Sequence, residues 1–299
     1  MGGWRRPDSP MTHELMAIRR YALKTKLVKG LNWLKKQVSS LPPAIAQEVL
    51  AIYVMCANHW LNMPEGKRTC YGITAINSLV FIAWQIPRLR PFMVRHFSHH
   101  PLSGKSYTLF TSMFSHQNAI HFLFNSIALL SFGAAFEVAD SQRPGVLHQP
   151  HDTDRYHFLA FYVCAGLFSG ALSHIVATRV RLPRLLSALS DATKAKSMDP
   201  SKSTIRPSLG ASGAIYGAVA MTAMAMPETH VTLIFFPWLP IPSQVGFAGA
   251  VALDIVGIIR GWRVFDHWAH LGGALTGMAY FFYAPWEKIR FMLWRTFRS

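Results

Sequence analysis

Charge is scarce in this chain, and acidic charge scarcer still. Of 299 residues only 15% are Asp, Glu, Lys or Arg, with 30 basic against 14 acidic, where an ordinary soluble domain carries about 25% charge. That shortage argues against a water-facing globule. The three cysteines, Cys56, Cys70 and Cys164, make neither a CxxC pair nor an even set, which excludes a disulfide framework and a thiolate metal or redox site. An excess of basic charge can mark a nucleic-acid binder. Here, however, the Lys and Arg residues sit in the first 68 positions, the connections and the tail, so anionic lipid is the expected partner and nucleic acid is not.

What is present is a set of long uncharged windows. No Asp, Glu, Lys or Arg falls between Thr69 and Pro87, Ser106 and Phe136, Tyr156 and Thr178, Pro207 and Pro227, Thr229 and Leu253, or His267 and Trp286. A helix needs about 20 mostly apolar residues to cross a hydrocarbon core. The windows therefore predict six spanning helices, near Tyr71 to Ile86, Ala119 to Val138, Phe158 to Ala177, Gly210 to Met226, Val245 to Ile259 and His267 to Pro285. The fold class expected is all-α and polytopic, with a basic N-terminal region over residues 1–66 and the membrane domain over 67–299. Within the first region, seven basic residues (Arg19, Arg20, Lys24, Lys26, Lys29, Lys35, Lys36) meet one acid, Glu14, between Ser9 and Gln47. Leu15, Ile18, Leu27, Leu31 and Leu34 recur among them, which predicts a basic amphipathic helix on an anionic membrane face; an organelle-targeting segment is the competing reading. Ala44 to Leu61 reads as an interfacial or packed helix because Glu48, Asn58 and His59 interrupt it. Arg179 to Arg206 reads as a surface loop, and Pro237, Pro240 and Pro242 preclude a helix between the fourth and fifth spans.

Polar groups inside a bilayer are costly, so those within the spans are the functional candidates. Three groups stand at the starts of spans two, four and six: His116, His121 and Asn125; Gly210-Ala211-Ser212-Gly213; and Asp266-His267-Trp268-Ala269-His270. Alternate spans enter from the same face, and at ~1.5 Å rise per residue the three groups lie at a similar depth, roughly 5 to 10 Å below one surface. A serine, a histidine and spare donors at one depth are the parts of acyl transfer. The hydroxyl needs an adjacent base, and the oxyanion needs donors, for which the Ser212 N–H, the Asn125 amide and the His121 ring serve. Gly210 and Gly213 leave the backbone open to a carbonyl. Gly273 and Gly277 allow the sixth helix to approach closely.

Taken singly, each residue has an ordinary reading. A serine among small residues at a helix start is more often packing or a cap, and His267 reads as sitting at the water boundary. The pair His267 and His270 with His116 or His121 suggests a metal, but no cysteine and no carboxylate beyond Asp266 stands near, so neither metal nor cofactor is expected.

In combination these strings resemble the rhomboid family of intramembrane serine proteases. The resemblance rests on His116-x4-His121-x3-Asn125, Gly133-Ala134-x-x-Glu137, Gly210-Ala211-Ser212-Gly213 and Ala269-His270-x-x-Gly273-x3-Gly277, and covers about residues 67 to 286. It implies Ser212 as nucleophile, His270 as base, His121 and Asn125 in the oxyanion hole, and Tyr216 packed on the catalytic imidazole. Transmembrane proteins would be the substrates and the bilayer the medium. The strings around Ser212 and His270 look most like the mitochondrial, presenilin-associated branch. That branch usually carries one more span, without a clear counterpart here, and Tyr107-Thr108 stands where many other members have Trp-Arg. Glu137 fits a structural hydrogen-bonding position. Asp254 interrupts the fifth span without a partner that the sequence names, and reads as structural. Two further classes compete: a non-catalytic relative that binds membrane helices, and a transporter or proton channel built on the buried histidines and Asp254.

Overall fold

A computed structural model describes residues 10–142, 154–191, 204–233 and 236–283. The chain opens with a helical hairpin. Helix α1 (Pro10–Gln37) packs along α2 (Pro43–Asn62), tied by Tyr53 Oη donating to the Leu27 carbonyl at 2.8 Å and by Arg20 Nη2 donating to Asn62 Oδ1 at 2.7 Å. The apolar stripe of α1 is narrower than the sequence suggested. Leu23, Leu27, Leu31 and Leu34 are half-buried, whereas Ile18 is turned away and exposed. Residues 18 and 27 are nine apart, so at 100° per residue they fall on opposite sides of a helix. The side chain of Leu15 lies outside the described residues.

Each uncharged window contains a helix. These are α3 (Glu65–Gln85), followed by the short α4 (Arg90–Phe97) and the single turn α5 (Thr108–Thr111); α6 (Ala119–Ala128), continued through a widened turn (Leu129–Gly133) into α7 (Ala134–Ser141); α8 (Asp154–Val176); α10 (Ser212–Ala225); α11 (Ser243–Arg260); and α12 (His267–Tyr283). Among the described residues three stretches are long and apolar enough to cross a membrane by themselves: Ala119–Asp140, Tyr156–Ser190 and Ser243–Arg260; α3 with α4, bent by 97°, can be counted as a fourth. Leu79, Ile82, Leu253 and Ile259 are among the large apolar residues that point outward. A surface of that kind fits hydrocarbon and not water.

Two connections differ from expectation. Residues 179 to 206 are not all loop: α8 runs through a widened turn (Ala177–Arg181) into α9 (Leu182–Ser190). Pro183 lies in the first turn of α9, where a missing N–H is tolerated, and Leu185, Leu186 and Leu189 keep a helical period. Between α10 and α11 the chain makes a two-stranded antiparallel hairpin, β1 (His230–Leu233) with β2 (Phe236–Pro242). It is the one sheet among the described residues, so the chain is not strictly all-α. The prolines that exclude a helix there leave extended backbone as the alternative.

The core lies where α7, α8, α10 and α12 meet. Phe136, Phe158, Tyr162 and Met221 are its large buried side chains. The tightest contact is α10 against α12: a Cβ on Gly273 would lie 1.9 Å from the Gly213 carbonyl oxygen, and one on Gly277 2.2 Å from that of Gly217. Small residues on both helices let their backbones touch, and this brings the start of α12 beside the start of α10.

Candidate active site

Ser212 opens α10, where the approach to the helix is fixed by neighbours rather than by a side-chain cap. Ser208 exchanges both backbone hydrogen bonds with His99 at 2.9 Å, and the Gly210 N–H donates to the Ser112 carbonyl at 2.9 Å. Gly210 has φ +129°, and a Cβ there would meet the His121 ring at 2.7 Å. Glycine at this position thus brings the His121 imidazole against the backbone two residues before Ser212. The His116 Nε2 accepts from the Ala211 N–H at 3.4 Å.

Asn118 caps α6, its side chain accepting from Ile120 N and His121 N at 2.8 and 3.3 Å. One turn on, buried Asn125 donates one amide hydrogen to the His121 carbonyl at 2.9 Å. An amide has a second hydrogen, which this bond leaves over.

Asp266 caps α12, accepting from Ala269 N at 3.2 Å, and Ser173 of α8 donates to its other oxygen at 2.6 Å. Ser169 of the same helix donates to the Ala269 carbonyl at 2.6 Å. So anchored, α12 holds His270 Nε2 3.0 Å from Ser212 Oγ. The Tyr216 ring stacks on the His270 ring with centroids 4.3 Å apart and planes 13° apart. His270 is buried and Ser212 half-buried.

The structure assigns Asp254 partners that the sequence did not name. Its Oδ1 lies 3.1 Å from His270 Nδ1 and 2.6 Å from His267 Nδ1. His267 is only 2% exposed, so it does not sit at the water boundary. The missed signal was the spacing: His267 and His270 are three apart and share a helix face, and an intramembrane carboxylate calls for donors. The ligand atoms of Asp254, His267 and His270 fall within 4.8 Å of one another. A divalent cation there would occupy the nitrogen through which His270 bonds Asp254. The side chain of Glu137 lies outside the described residues.

A family model described as the Rhomboid domain matches residues 103–286. The chain belongs to the rhomboid family. Among rhomboid relatives, the human "Presenilin-associated rhomboid-like protein, mitochondrial" is 33% identical over 75% of this chain and 50% of its own length. The zebrafish "Presenilin-associated rhomboid-like protein A, mitochondrial" is 29% identical over 81% and 55%. The yeast "Rhomboid protein 1, mitochondrial" is 27% identical over 73% and 53%. The chain spans about half the length of the curated relatives it matches. These relatives and the apolar helices make this rhomboid an integral membrane protein of mitochondria.

Proposed function

We propose that this chain is a serine endopeptidase of the mitochondrial inner membrane that cuts single-span membrane proteins within or near their spanning helix. The observation that carries the reading is the 3.0 Å contact between Ser212 Oγ and His270 Nε2, made between two different membrane helices beside a half-exposed hydroxyl. His270 Nε2 takes the Ser212 proton as Oγ bonds to the substrate carbonyl carbon. The resulting oxyanion is met by the Ser212 N–H, the His121 ring and the Asn125 amide, and Gly210 keeps the approach clear. Collapse breaks the C–N bond, and His270 returns the proton to the departing amine. Water then attacks the acyl-serine and gives its proton to His270, which passes it to Ser212 Oγ as the acyl C–O bond breaks and the new carboxyl end leaves. Tyr216 holds the imidazole plane throughout.

On this reading residues 67–299 form a six-span catalytic domain, and residues 1–66 rest on the lipid surface by their basic charge. The substrate has to expose a carbonyl that a helix keeps bonded, so glycine or other helix-weakening residues near the cut favour cleavage. Reconstituted protein is assayed on a panel of single-span proteins, with cut sites mapped by mass spectrometry. Removing a nucleophile or base cost about 10⁶-fold in the soluble serine protease used as reference, so Ser212→Ala and His270→Ala should show only background. A Ser212→Ala protein that cuts as well as wild type overturns the reading.

A further inference from the structure

We infer that Asp254 is a positioning residue for His270: by accepting from Nδ1 it keeps the base in the one tautomer that leaves Nε2 free toward Ser212. The inference rests on the serine-protease reading above and takes it from a pair of residues to an ordered set of four. A neutral imidazole carries one N–H, and whichever nitrogen holds it cannot take a proton from serine. Stacking against Tyr216 fixes the plane of the His270 ring but says nothing about which nitrogen is protonated. Asp254 supplies that information, because an ionised carboxylate can only accept, and its Oδ1 faces Nδ1 at 3.1 Å.

The carboxylate is itself held. His267 Nδ1 lies 2.6 Å from the same oxygen, and all three side chains are buried, with Asp254 3% exposed. Room for the His267 ring comes from Gly257, where a Cβ would lie 2.4 Å from the ring atoms. Helix α11 therefore presents an acid at 254 and an absent side chain at 257, nearly one turn apart, to a single imidazole. That helix otherwise touches the bundle by a thin line: Ser243, Phe247, Asp254 and Gly257 are its buried residues, while Leu253, Ile255, Val256 and Ile259 face outward. The orientation of the base thus depends on α11 being seated, and His267 is the latch that seats it.

The test uses the full chain in proteoliposomes with a single-span reporter that wild type cuts and Ser212→Ala does not; a reporter still cut by Ser212→Ala takes down the protease reading itself. With that control in place, Asp254→Asn should lower kcat by about 10²-fold or more, within the range a general base contributes, and leave KM within about threefold. Phosphonylation of Ser212 by a fluorophosphonate should slow by the same factor as kcat. Independently of any variant's folding, ¹⁵N NMR of histidine-labelled wild type, assigned with His270→Ala, should show His270 protonated at Nδ1 with the downfield proton of a carboxylate-bonded imidazole. Wild-type kcat and labelling in Asp254→Asn, or an Nε2-protonated His270, overturns the inference.

Discussion

Gly210 shows how much one absent carbon decides. Its φ of +129° is a region that side chains rarely adopt, and the His121 ring occupies the space a Cβ would need. Strain of this kind costs about 1–3 kcal/mol, so Gly210→Ala should displace either the ring or the backbone leading to Ser212. Reporter cleavage in proteoliposomes is expected to fall at least about tenfold, since 1.4 kcal/mol is one decade; unchanged cleavage would show that His121 does not need this approach. Tyr216 offers a graded comparison. The stacked ring, not its hydroxyl, faces His270, and aromatic pairs contribute about 0.5–1.5 kcal/mol beyond buried area. Tyr216→Phe should stay within about threefold of wild-type kcat and Tyr216→Ala should fall about tenfold, the decade that such a stacking energy represents.

Among the elements, the α10–α12 pair is the one on which the site depends. Gly273→Ala would set a methyl against the Gly213 carbonyl, a backbone atom that cannot rotate away. Overpacking of this sort costs about 1–3 kcal/mol. The variant should lose cleavage and melt earlier in detergent, with the two losses appearing together, whereas Asp254→Asn separates them. The sequence made half of this contact legible. Gly273 and Gly277 stand in a recognisable pattern, but nothing local marks Gly213 and Gly217 as their counterparts, because no local pattern says which helix faces which. Asp254 was visible as an intramembrane acid, yet its partners belong to another helix, and only packing of α11 on α12 joins them. Likewise α9 and the β-hairpin escaped notice: both lie in proline-bearing connections where local propensity is weak and neighbouring elements decide. The long uncharged windows, by contrast, carried the helices plainly, since hydrocarbon imposes its requirement residue by residue.

At the scale of the whole molecule, a buried histidine outside the spans couples the fold to pH. His99 bonds Thr108 Oγ1 at 2.8 Å and His174 Nδ1 at 3.0 Å, and burial, with the His174 charge second, lowers its pKa to about 4. This folded value lies below the unfolded value near 6.5, so between the two the unfolded chain binds more protons. Stability is then fully present above about pH 6.5 and is lost as pH falls toward 4. The thermal midpoint in detergent should be lower at about pH 5 than at about pH 7.5, and the drop should shrink in His99→Asn, because each pKa unit is worth about 1.4 kcal/mol. A midpoint that rises on acidification contradicts this linkage.

The proposed protease activity rests on one hydroxyl on α10 made reactive by one imidazole on α12. Covalent capture tests that most directly: reconstituted wild type is treated with an isocoumarin or fluorophosphonate and the adduct is located by mass spectrometry. A single reactive serine, Ser212, should be modified in wild type and left unmodified in His270→Ala. An adduct at another serine, or equal modification of Ser212 without His270, would contradict it.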